Sequence, residues 1–173
     1  METATLLILV TVLGLASFCD IRSSRIPNWL TFSGAAIALS AHAWMSGVQG
    51  LLFSLAGLGA GLGLYLILYL SGGVGAGDVK LMGTVGAIVG PYGAFLSSLL
   101  AVIVGGAYAL AVMCHHWGAY RTGQKLLRAT QGALLLGGDS WAQELKLPFH
   151  LRYGLAISGG TLLFLTGFHP FGG

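Results

Sequence analysis

Apolar residues fill this chain in long runs, and the polar positions fall into short punctuations between them. Six runs can be drawn, roughly Ala4 to Cys19, Trp29 to Met45, Leu51 to Leu70, Val79 to Val89, Tyr92 to His115 and Tyr153 to Phe168. A helix needs about 17 to 25 predominantly apolar residues to cross a bilayer, and runs of about that length recur here. The fourth is short and is closed by Gly90-Pro91. It reads as a tilted or kinked crossing, or one beside a cavity where irregular backbone is tolerated. The pattern predicts an all-α membrane protein of about six transmembrane helices, organised as one domain over residues 1–173. The first run is expected to remain as a helix. Glu2 stands where a signal peptide carries basic residues, and no small-x-small cleavage site follows.

Composition agrees with the runs. Only 8% of the 173 residues are charged and 55% are hydrophobic, with 29 glycines, too apolar a balance for a water-soluble globule. The placement of charge then adds a direction. Arg22 and Arg25 follow the first run and Lys80 follows the third. Arg121, Lys125, Arg128, Lys146 and Arg152 lie between the fifth and sixth. Connections after odd-numbered crossings share one side, so all eight basic residues fall on that side. Positive residues mark the inner face, which puts both termini outside and a long basic inner loop between helices five and six. The basic pI of about 9.1 therefore needs no nucleic-acid partner, and no basic stripe with exposed aromatics is present to bind one.

The inner loop, roughly His116 to Arg152, has the most soluble character. Arg121, Lys125 and Arg128 are spaced along one helical face, as suits a helix lying on anionic lipid. Ser140 to Gln143 reads as a capping box, with Asp139 a helix-start acid beside it. Gly57 and Gly61, and Gly59 and Gly63, are small residues four apart, the spacing that lets membrane helices approach closely. They do not form a nucleotide loop, because neither the G-x-G-x-x-G spacing nor a Gly-Lys-Ser/Thr is present. Cys19 and Cys114 are too few and too distant for a zinc site or a disulfide framework. His115 and His116 are adjacent in a helix, so they diverge rather than share a metal. No metal or other cofactor is expected.

Two of the five acids, Asp20 and Asp78, sit at the ends of membrane runs. Even on a lenient insertion scale a charge at the bilayer centre costs about 2.5 to 3.5 kcal/mol, so such acids are candidates for function. Asp20 ends the first run and Asp78 follows the third, one hairpin of two crossings later. Both are thus expected on the inner side at similar depth. Two carboxylates brought together tend to share one proton, and one can then activate a water while the other polarises a peptide carbonyl. Gly75 and Gly77 leave room for an extended peptide to approach Asp78. Lys80 could favour the charged acid or anchor its helix. Pro27 and Asn28 suit the entrance to the second helix. Spacing alone leaves a plainer reading open, in which Asp20 pairs with Arg22 or Arg25 and Asp78 with Lys80.

Two stretches carry a resemblance. "CDIRSSRIPNWLT", Cys19 to Thr31, is similar to the first aspartate motif of the type IV prepilin peptidases. "GAGDVKLMGTVGAIVG", Gly75 to Gly90, resembles their second, the G-x-G-D motif of intramembrane aspartyl proteases. "RYGLAISGG", Arg152 to Gly160, is similar to the family's closing segment, with Arg152 where proline is usual. Larger members carry an inner domain with paired Cys-x-x-Cys motifs, associated with N-methylation. Only seven residues separate Asp20 from Asn28 here, as in the minimal Flp or tight-adherence form.

The resemblance implies an aspartyl endopeptidase of the bacterial inner membrane, multi-pass, with its active site facing the cytoplasm. Its substrate would be a prepilin or pseudopilin, cut between a short basic leader and an apolar helix. Asp20 and Asp78 would be the catalytic pair, with Gly75, Gly77, Lys80, Pro27 and Asn28 supporting them. No metal or methyltransferase activity is implied, and the remaining partner is membrane lipid. Two other classes use the same acids differently, a small proton-coupled carrier and a non-catalytic scaffold of a secretion or pilus complex. The two halves of the chain show no repeat of the kind carriers often have, which argues against the first of these.

Overall fold

The computed structural model describes residues 3–23, 25–70, 72–118, 122–124 and 153–166. Four helices account for most of them: α1 (Thr3–Ser23), α2 (Asn28–Leu70), α3 (Ala76–Trp117) and α4 (Tyr153–Leu165). The first three are long and apolar enough to cross a membrane, whereas α4 is shorter. Arg121, Lys125, Arg128, Asp139, Ser140 to Gln143, Lys146 and Arg152 lie outside the described residues.

The long helices α2 and α3 are not straight rods. Each contains one glycine with left-handed backbone, Gly47 (φ 59°) in α2 and Gly90 (φ 81°) in α3. The chain doubles back at both. In an unbroken helix eight residues span about 12 Å. Yet Gly50 lies directly against the His42 carbonyl, and the rings of His42 and Phe53 are 5.4 Å apart. Around Gly90, a methyl placed on Gly86 would sit 3.2 Å from the Ala94 Cβ, again eight residues away. Glycine adopts φ > 0 without a Cβ clash, and Pro91 starts the returning arm at a position where its missing N–H costs little. The reversals fall between the second and third apolar runs and between the fourth and fifth, where the sequence placed connections. These connections are single-residue corners.

Two compact units are distinguished, Met1–Gly105 with Arg152–Gly173, and Gly106–Leu151. In the second, Gly118 (φ 80°) closes α3 by donating its N–H to the Cys114 carbonyl at 3.0 Å.

Within the first unit the arm of α3 before Gly90 is the innermost piece, with residues 81–88 all buried. The returning arm of α2 packs antiparallel to it through Ser54, Gly57 and Gly61, part of a buried stripe at helical spacing that continues to Tyr65. Gly57 touches the Gly86 carbonyl, Gly61 touches that of Met82, and Ser54 Oγ donates to the Ala87 carbonyl at 2.7 Å. Small residues let the two backbones meet, which replaces the hydrophobic drive that lipid surroundings remove. The first arm of α2 lies on another side of α3, where Thr84 Oγ1 donates to the Thr31 carbonyl at 2.9 Å. Gly59 and Gly63 face away and a methyl on either would meet nothing within 4 Å. Only one of the two glycine pairs read from the sequence is therefore a packing pair.

Candidate active site

The stripe that α1 buries runs Leu9, Val12, Leu13, Ala16 and then Asp20, which is only 6% exposed. The carboxylate thus continues an apolar face at helical spacing, near the C-terminal end of α1. Room for it comes from α4, which packs antiparallel to α1. Ser17 Oγ donates to Ser158 Oγ at 2.8 Å, and Ser158 Oγ donates to the Gly154 carbonyl at 2.9 Å. Gly154 itself faces Asp20 so closely that a Cβ there would lie 2.8 Å from Oδ2 and 3.1 Å from Cγ.

Asp78 stands in the first turn of α3. Its Oδ2 accepts the backbone N–H of Gly75 at 3.0 Å, three residues back. This is the reach of an acid at the third helical position to the cap residue, and the helix N-terminus favours a negative charge there. Gly75 lets the carboxylate come close, since a Cβ on it would lie 3.2 Å from Oδ2. Gly77 faces the turn after α1, with Ile26 Cβ 3.3 Å from where its own Cβ would be. Both glycines are used inside the molecule, to seat the carboxylate and to admit the Ile26-Pro27 turn.

Lys80 does not turn to its neighbouring acid. Its Nζ donates to Asn28 Oδ1 at 2.8 Å and sits 5.7 Å from the centre of the Phe32 ring. The bond ties the first residue of α2 to the first turn of α3, across 52 positions of sequence. Asn28 therefore serves the entrance of α2 through Lys80, while the Pro27 carbonyl accepts the Leu30 N–H at 3.2 Å.

Asp20 and Asp78 lie within electrostatic range of one another. The C-terminal end of α1 and the N-termini of α2, α3 and α4 meet at this end of the first unit. Two tyrosines not singled out in the sequence join the acids. Tyr65 and Tyr153 are each in electrostatic range of Asp78, and of each other. Tyr65 is 1% exposed, and Tyr153 is half-buried with its ring edge against Gly105. No sequence signal marks Tyr65, which sits in the run "LYLILYL" like any interfacial aromatic. Gly154 was open to notice in the closing motif, but its contact with Asp20 spans 134 residues. The arrangement offers two carboxylates within electrostatic range of one another, one capped by a backbone N–H, with two phenols in range of that one. Such a set can take a proton from water and give one to a peptide.

Residues 7–110 match the model of the type IV leader peptidase family. That span includes both aspartates and Tyr65 and ends before α4. Neither the curated proteins nor the solved structures contain a match.

Proposed function

The chain belongs to the type IV leader peptidase family, and from that premise we propose that it is an aspartyl endopeptidase cutting prepilins or pseudopilins at the inner membrane boundary. Membership makes it a leader-peptidase-like protease, and its long apolar helices suit a multi-pass membrane protein. The observation that carries the finer reading is the approach of Asp20 to Asp78 at one end of the first unit, from helices α1 and α3.

In the proposed reaction a water sits between the carboxylates. The ionised one accepts a proton from the water, whose oxygen attacks the scissile carbonyl carbon. The protonated one gives its proton to the carbonyl oxygen. Collapse of the tetrahedral species breaks the C–N bond, and the proton gained from water passes to the departing amine. The hydroxyl formed on the carbonyl oxygen returns its proton to the other acid as the carboxyl product forms, so the pair ends in its starting protonation state. Gly75 holds Asp78 by its N–H, and Lys80 with Asn28 fixes the start of α2 beside it. With Gly47 and Gly90 read as corners, the proposal has six crossings, and the positive-inside rule would put the end that bears Arg22, Arg25 and Lys80, and with it the acids, on the cytoplasmic side. A basic leader would then stay on that side while the apolar helix of its precursor remains in lipid.

The test is co-expression of a prepilin with wild type, Asp20→Ala and Asp78→Ala, following precursor size. A shortened product with wild type and intact precursor with either variant is expected. Normal processing by both variants would sink the proposal.

A further inference from the structure

The interface between the returning arm of α2 and the buried arm of α3 changes character along its length. Its α2 side reads Ser54, Gly57, Gly61, and then Tyr65. The register is antiparallel, Ser54 to Ala87, Gly57 to Gly86 and Gly61 to Met82. One further helical turn puts Tyr65 at the level of Asp78 and Val79. Where the backbones touch, no side chain fits; at Tyr65 the largest fully buried side chain of the described residues is accommodated. The helices therefore make room at the very level of Asp78, and a phenol fills it.

A buried phenol carries an apolar ring and a polar tip, and the tip needs a polar neighbour. Tyr65 lies within electrostatic range of Asp78 on α3 and of Tyr153 on α4, the residue preceding the glycine that seats Asp20. Buried and at the level of Asp78, it belongs to the end of the first unit that holds the acids rather than to a lipid-facing surface. Asp20 is closed off almost as completely as Tyr65, at 6% and 1% exposure. A peptide that reaches Asp78 would come to the level of Tyr65.

We propose that Tyr65 is a further catalytic residue, whose hydroxyl donates a hydrogen bond to the scissile carbonyl oxygen as negative charge develops on it. The phenol keeps its proton throughout; the proton that reaches the oxygen comes from the acid pair. A preorganised donor shielded from bulk water is worth about 10² to 10³ in kcat at comparable sites. The inference rests on the aspartate pair being the catalytic centre.

The experiment compares wild type, Tyr65→Phe, Tyr65→Leu, Asp20→Ala and Asp78→Ala in cleavage of a prepilin in membranes, with kcat and KM measured separately. Tyr65→Phe keeps the ring and is expected to lose about 100-fold in kcat with KM within about threefold, since the lost bond forms in the transition state. Tyr65→Leu is expected to lose as much kcat and heat stability besides. Wild-type kcat in Tyr65→Phe, with both aspartate variants inactive, overturns the role of Tyr65 and leaves the acid pair standing. Cleavage by the aspartate variants overturns both. Should Tyr65→Phe fail to accumulate, 3-fluorotyrosine at position 65 keeps the shape and strengthens the donor. Raised kcat then supports the role, and an unchanged kcat overturns it.

Discussion

Replacing Gly154 by alanine should separate activity from stability. The new methyl would lie 2.8 Å from Asp20 Oδ2, where ordinary contact begins at 3.4 Å, a shortfall of about 0.6 Å. The nearest atoms all belong to the Asp20 side chain, at 2.8, 3.1 and 3.2 Å, so the carboxylate is the group that moves. Misplacement of a reacting group by about 1 Å can cost about 100-fold in rate. A shift of roughly half that size should reduce kcat by about 10- to 100-fold, or about 1.4 to 2.7 kcal/mol of barrier. Stability should move little, because alanine is favoured over glycine in a helix by about 1 kcal/mol, which offsets local crowding. The assay is the initial rate of precursor shortening in detergent, beside a thermal melt of the same preparations. Gly59→Ala is the control, since a methyl there meets nothing within 4 Å. Wild-type rates in Gly154→Ala, with the melt unchanged, would show that the position of the Asp20 carboxylate is not needed for cleavage.

Lys80→Ala removes the bond to Asn28 and the contact with Phe32 but no group that faces the acids, so partial activity is expected, within about tenfold of wild type in the same assay. Complete loss with an unchanged melt would give Lys80 a part in the chemistry. The two corner glycines should respond unequally to alanine. Each substitution forces a left-handed residue with a Cβ, costing about 1 to 2 kcal/mol. At Gly47 the methyl meets nothing within 4 Å, whereas at Gly90 it would run into the Phe53 ring. Gly90→Ala should therefore melt lower than Gly47→Ala, and equal melting temperatures would show that the ring yields freely.

The apolar runs and the two acids were legible because each rests on one-dimensional information. Hydrophobic length marks a crossing, and the number of crossings between Asp20 and Asp78 sets whether they share an end. The corner at Gly90 was half-visible in the Gly-Pro pair. That at Gly47 was hidden in a polar break of ordinary composition. Facing was not legible. Gly57 and Gly59 carry identical spacing partners, yet one touches the Gly86 carbonyl and the other touches nothing, because spacing defines a face without saying what lies opposite. The Lys80 to Asn28 bond, the Gly154 seat beneath Asp20 and the level of Tyr65 each depend on the register of two helices. That register is fixed by which backbones can touch, a property of pairs of segments.

The one-residue corners at Gly47 and Gly90 leave the helix pairs they join with almost no free chain at that end. An epitope or protease site placed at either glycine would have to prise apart partners whose backbones are already in contact. The links through Ile26-Pro27 and Gly72 to Gly75, beside the acids, are the places within the first unit where added sequence could leave the helices undisturbed. An insertion at either link would then lie beside the two proposed catalytic aspartates, so elaborating this scaffold and changing the surroundings of Asp20 and Asp78 become the same event.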